Sequence, residues 1–135
     1  MTSEKIYKNT ILFHIALFVI SVLISMYPSK IVEEANVILE QNNWFSSNAS
    51  SATALLILIF IASLIYFYSL YGLYKFKKIG RTLYTYTIIF FSVTTIAMGD
   101  YAYSAIEFLF YDITAMTNGA LLVFIYLTDL KKKFK

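Results

Sequence analysis

The chain has 135 residues, of which 59% are hydrophobic, 19% aromatic and only 14% charged. A soluble domain usually carries about 25% charged and 45–50% apolar residues, so an ordinary water-soluble domain is excluded, and so is a disordered chain, which would be charge-rich and apolar-poor. With no cysteine and a single histidine, His14, one chain can build no disulfide framework, zinc-thiolate site, iron–sulfur cluster or multi-histidine metal centre, and no cofactor is expected.

What remains is a small integral membrane protein of the all-α class. A hydrocarbon core of roughly 30 Å needs about 20 apolar residues in a helix, and four stretches meet this. The first span covers 10–27 and ends against Pro28, which cannot comfortably continue a helix. His14 lies about one turn inside it and, with Asn9 and Thr10, marks a polar inner rim. Ser21 and Ser25 have the small-xxx-small spacing that lets helix backbones approach. An outer segment over 29–42 follows, with Ser29 as its cap and Ile31, Val32, Ala35, Ile38 and Leu39 on one apolar face. It predicts a short amphipathic helix lying on the outer membrane surface or capping the bundle. Trp44 then supplies an interface anchor.

The second span covers 52–74, the third 80–98 and the fourth 104–127. Tyr66, Tyr68, Tyr71, Tyr74, Tyr84 and Tyr86 form an aromatic belt at the inner interface. The short third-to-fourth connection predicts a tight antiparallel hairpin, the Lys75–Arg81 connection predicts the same for the second and third spans, and a compact four-helix bundle is the economical architecture.

Charge sets the orientation. Of the eleven Lys and Arg residues, all but Lys30 fall before the first span, between the second and third, or after the fourth. The positive-inside rule then puts both termini and the middle loop in the cytoplasm. These clusters are short and abut span ends, which suits topology determination and anionic lipid rather than nucleic acid.

Chemistry is sparse. No Ser/His/Asp set, HExxH or Walker motif can be assembled, so an enzyme is not expected. Asp112 in the fourth span would cost roughly 2.5–3.5 kcal/mol if left charged among lipid tails, so it is expected to face the bundle interior, a cavity or a partner. Helical spacing places it on one stripe with Ala115, Met116, Gly119 and Val123; a second stripe holds Glu107, Tyr111, Thr114 and Asn118. Asp112, Glu107, Asp100, Asn118 and His14 form the candidate intramembrane polar set, while Ser21, Ser25, Ala115 and Gly119 are candidate packing residues. Three readings stay open for Asp112: a cation or proton path opening outward; a hydrogen-bonded lock to the hydroxyls of Tyr101, Tyr103, Thr94 or Thr95; or a fourth span that starts nearer Ile113, leaving 99–112 as an outer interfacial segment, although only about 15 residues would then remain to span.

Gly80-Arg81-Thr82-Leu83-Tyr84, Asn118-Gly119-Ala120-Leu121-Leu122, Tyr126-Leu127-Thr128 and Phe134 together resemble small uncharacterised four-span bacterial inner-membrane proteins, over about half the chain. That resemblance implies the topology and no activity. In architecture alone the chain also resembles the membrane immunity proteins that protect bacteria from pore-forming toxins. The expected function is therefore non-catalytic: helix–helix contact with a membrane partner, one form of which is immunity to a toxin. The alternative is an oligomeric cation or proton pathway. The expected partners are the lipid bilayer, a membrane protein or toxin, and a second copy of the chain, with no nucleic acid.

Overall fold

The computed structural model describes residues 3–41, 49–98 and 101–135; Trp44 and Asp100 lie outside them. The described residues form helices joined by short connections, without strands. Helix α1 spans Ser3–Ser25, α2 Lys30–Gln41, α3 Ala49–Tyr74, α4 Lys78–Met98 and α5 Ala105–Leu127, followed by a short 3-10 helix, Asp129–Lys133. Three of these segments, Ser3–Ser25, Thr53–Tyr74 and Ala105–Leu127, are long and apolar enough to cross a membrane.

Helix α1 begins a full two turns before the apolar stretch that starts at Thr10. Its leading turns are polar yet favourable: Glu4 suits the positive helix end, and Lys8 Nζ lies 2.9 Å from Glu4 Oε1 one turn on. The helix stops where Pro28 removes a backbone donor. Ser29 then starts α2, its carbonyl accepting from Glu33 N at 3.0 Å and its hydroxyl from Val32 N at 3.4 Å.

The long helices pack in two close pairs, α3 beside α4 and α1 beside α5. This differs from the expected hairpin of the third and fourth spans, whose backbones do not run in close contact; their link is made by side chains such as Thr85 and Tyr126, with hydroxyls 2.8 Å apart. Glycine is what lets α3 and α4 come so close. A Cβ built on Gly72 would stand 2.7 Å from Gly80 Cα, and one on Gly80 would stand 2.5 Å from the carbonyl carbon of Gly72. Only two residues without side chains let α3 and α4 touch here.

The turn between them closes with the Lys77 N–H on the Gly72 carbonyl at 2.8 Å and the Phe76 N–H on that of Leu73 at 3.0 Å, the paired bonds that commonly terminate a helix. Phe76 takes the left-handed position at φ 54°, where glycine is usual. Its ring offsets that strain by packing, with centroids 5.3 Å from Tyr7 and 5.4 Å from Phe134. The chain's last residue joins the same turn: Lys78 N donates to Lys135 O at 2.9 Å and Lys135 N to Phe76 O at 3.2 Å.

The core is therefore asymmetric. Tyr7, Ile11, Leu70, Leu73, Leu121 and Ile125 are fully buried beside Phe76, Phe134 and the 3-10 helix, sealing the end that carries the basic clusters. At that end Glu4 also pairs with Lys133, and Lys132 beside Asp129 holds the Asp129 carboxyl below its ordinary range. Among the described residues the opposite end opens into a cleft under α2.

Candidate functional site

At the centre of the helices lies a connected set of buried polar groups. His14 on α1 reaches Thr117 Oγ1 on α5 through Nδ1 at 2.7 Å, and its Nε2 meets the Tyr66 hydroxyl of α3. The Tyr66 hydroxyl donates to Asn118 Oδ1 at 3.1 Å, and the Tyr84 hydroxyl of α4 donates to the same oxygen at 2.7 Å. Each of the four long helices contributes. In an apolar interior a polar group without a partner costs about 1–3 kcal/mol, so each member of the set supplies a partner its neighbours would otherwise lack. Among the described side chains no buried polar atom lacks a partner.

This arrangement revises the reading of several residues. His14 is fully buried rather than at an inner rim. Tyr66 and Tyr84 are buried and stacked, centroids 5.8 Å apart, and so are not part of the interface belt; Tyr68, Tyr71 and Tyr86 remain exposed. Spacing alone could not separate them, since all sit on apolar helices.

The two polar stripes of α5 also part company. The stripe of Glu107, Tyr111, Thr114 and Asn118 turns inward or lines clefts. Asp112, expected to face the bundle interior, a cavity or a partner, is exposed within the chain, and so are Ala115, Met116, Gly119 and Val123. Thr94 and Thr95, two of the groups considered as its anchors, donate to the Phe91 carbonyl at 3.0 and 2.8 Å. Gly119 has nothing within 4 Å of where a side chain would begin, so among the described residues no other helix packs against it there. On α1, Ser21 is buried and bonds its own helix at Leu17 O, 2.9 Å away, whereas Ser25 is exposed near the Tyr111 hydroxyl at 3.5 Å.

Glu107 has a local task. Its Oε2 accepts from Ser104 N at 2.7 Å while Glu107 N donates to Ser104 Oγ at 3.3 Å. This reciprocal pair is a capping box that satisfies two orphan donors at the start of α5. The signal was legible as Ser104 followed three residues later by Glu107.

At the open end α2 docks on the connection before α5. Asn36 Oδ1 accepts from Ala102 N at 2.7 Å and Asn36 Nδ2 donates to Ala102 O at 3.2 Å, so one carboxamide replaces a peptide neighbour. The docking face is built on Val32 and Asn36, while Ile31 and Ile38 of the anticipated apolar face point outward, 80% and 62% exposed. Between α2 and the other helices lies a cleft of about 590 Å³ bordered by Glu33, Glu40, Glu107, Tyr101, Tyr103 and Tyr111. Burial raises the Tyr103 phenol above its ordinary pKa. No group of three or more potential metal ligands occurs among the described residues.

No protein-family model matches the chain, no characterised protein is significantly similar in sequence, and no solved structure matches the fold.

Proposed function

We propose that this is a four-span protein of a bacterial inner membrane, with both ends cytoplasmic, acting without catalysis through lateral contact with another membrane component. The carrying observation is the exposed flank of α5, where Asp112 stands with Ala115, Met116, Gly119 and Val123. A carboxyl group on a membrane-spanning helix needs a partner, and a neighbouring glycine and alanine let a second backbone approach. The occupant that fits is a transmembrane helix bearing a basic or hydrogen-bond-donating side chain at the depth of Asp112. Immunity to a pore-forming toxin is one concrete form of such contact.

A fourth span is supported by α4, which runs beside α3 from the Gly72–Gly80 contact and places its exposed Ile89, Val93 and Ile96 outward. The basic clusters gathered at the sealed end support cytoplasmic termini. A cation or proton path along Asp112, Glu107 and Asp100 draws less support, because Glu107 serves as a cap and Asp112 lies on the outer flank.

The test is a photo-crosslinking residue at Met116 in native membranes. Capture of one defined protein, lost with Asp112→Lys while expression is unchanged, is the expected result. Crosslinks only between copies of this chain would replace the partner by self-association; capture unaffected by Asp112→Lys would overturn the assigned role of the carboxyl.

A further inference from the structure

A second cavity, of about 470 Å³, lies between α1, α3, α4 and α5, and its lining includes both Tyr66 and Asn118. Its volume falls in the range of small-ligand sites, about 300–1,000 Å³. It shares Thr95 and Tyr111 with the cleft under α2, so these two side chains stand where the open end leads inward.

The lining has one consistent chemical bias. Besides the phenols of Tyr66 and Tyr111, five serine and threonine hydroxyls line it: Ser21, Ser63, Ser92, Thr95 and Thr114. Each already donates its proton to a backbone carbonyl one turn earlier on its own helix, at 2.9, 2.8, 3.0, 2.8 and 2.7 Å respectively. A hydroxyl so engaged has only lone pairs left to offer. Helices α1, α3, α4 and α5 thus present acceptors to one space, among the rings of Phe18, Phe91, Tyr66 and Tyr111. No Lys, Arg or His lines it, and carboxylates border the neighbouring cleft. Acceptors beside aromatic faces suit a cation carrying its own N–H donors; an anion would meet only the Asn118 amino group and the Tyr111 hydroxyl as donors.

We propose that this cavity is a binding site for a small amphipathic organic ammonium ion. The ammonium group donates to the Thr114, Ser63 and Ser92 hydroxyls and the apolar body lies against Phe18 and Phe91. Entry is from the α2 end, past Tyr111. Of the Asp112 flank only Ala115 borders the cavity, and since none of the ligand's bonds uses it, the site does not depend on the proposed lateral contact.

The experiment is calorimetric titration of the purified full chain in detergent with 2-phenylethylammonium, with the neutral 2-phenylethanol and the anionic phenylacetate as comparators. Saturable binding of the ammonium ion roughly tenfold tighter than the alcohol, with phenylacetate weakest, is expected from charge-assisted hydrogen bonds. Thr114→Val keeps the side-chain shape and removes an acceptor, so it should weaken the ammonium ion several-fold without changing affinity for the alcohol. Ser63→Leu should fill the space and abolish binding of both; thermal unfolding in the same detergent confirms that each variant is folded. Equal affinity for alcohol and ammonium ion would reduce the site to an apolar void. Absence of saturable ammonium binding, or binding indifferent to both variants, would overturn the proposal.

Discussion

Gly72 and Gly80 meet backbone to backbone: a Cβ on the first would lie 2.7 Å from the Cα of the second. The contact sits beside the turn that joins α3 to α4, and one of the two bonds that close this turn is accepted by the Gly72 carbonyl. A methyl group on either residue must push the helices apart, and the obstacle is main chain, which cannot swing aside. Gly72→Ala and Gly80→Ala should each destabilise by about 1–3 kcal/mol, read as an earlier midpoint in denaturant titration. Gly119→Ala, where no atom lies within 4 Å, should leave that midpoint unchanged; equal losses at all three positions would contradict the close approach.

Asn118 accepts from two phenols with one oxygen. Asn118→Leu would strand the Tyr84 hydroxyl in the core, while Tyr66 keeps His14 Nε2, and should cost about 1–3 kcal/mol for the donor left unpaired. Combining it with Tyr84→Phe should recover part of the loss, because the second change removes the stranded donor. Stability measured across this double-mutant cycle tests the shared acceptor: strictly additive losses would mean the two groups do not interact.

Ser104 and Glu107 cap α5 reciprocally. Ser104→Ala and Glu107→Ala should each fray the first turn, costing about 0.5–2 kcal/mol, and speed amide hydrogen exchange around Ile106–Phe108. Glu107→Gln keeps the acceptor and should exchange much as the parent does. Faster exchange in Glu107→Gln equal to that in Glu107→Ala would show that charge rather than the bond matters.

Phe134 packs edge-on against Tyr7, with centroids 6.3 Å apart, and lies against Phe76. Phe134→Ala should remove this ring from the sealed end and cost about 3 kcal/mol. It should also free the tail, so that limited proteolysis at Lys131–Lys133 becomes faster than in the parent. An unchanged cleavage rate would mean the tail is held by Glu4–Lys133 pairing and the Lys135 backbone bonds alone.

Asn36 binds both polar atoms of the Ala102 peptide unit. Asn36→Leu should release α2 from the connection before α5, raising the labelling rate of a cysteine placed at Val32, which is buried in the parent. Slow labelling in both proteins would show that apolar contacts of Val32 hold α2 without the carboxamide.

Much of the secondary structure could be read in the residues. Pro28 and Ser29 mark the break before α2, and Ser104 with Glu107 marks the start of α5; these are local signals whose physics is complete within a few residues. The same locality explains why the helical start at Ser3 was missed. Apolar length locates a span, whereas the polar turns before it are stabilised by Glu4–Lys8 pairing, to which hydropathy is blind. His14 and Asn118 were recognisable as unusual, but Tyr66, Tyr84 and Thr117 were hidden among many similar residues on apolar helices.

The sequence by itself determined that the chain is helical and largely apolar, and where its cations cluster, because composition and helix length depend only on the residues present. Which stripe of α5 turns inward was decided by tertiary structure. Asp112 and Asn118 lie on neighbouring stripes of one helix, and both are polar. Asn118 is inside because Tyr66 and Tyr84, 52 and 34 residues away in the chain, bring it two donors. That satisfaction is a property of three helices together, and no single helix carries it.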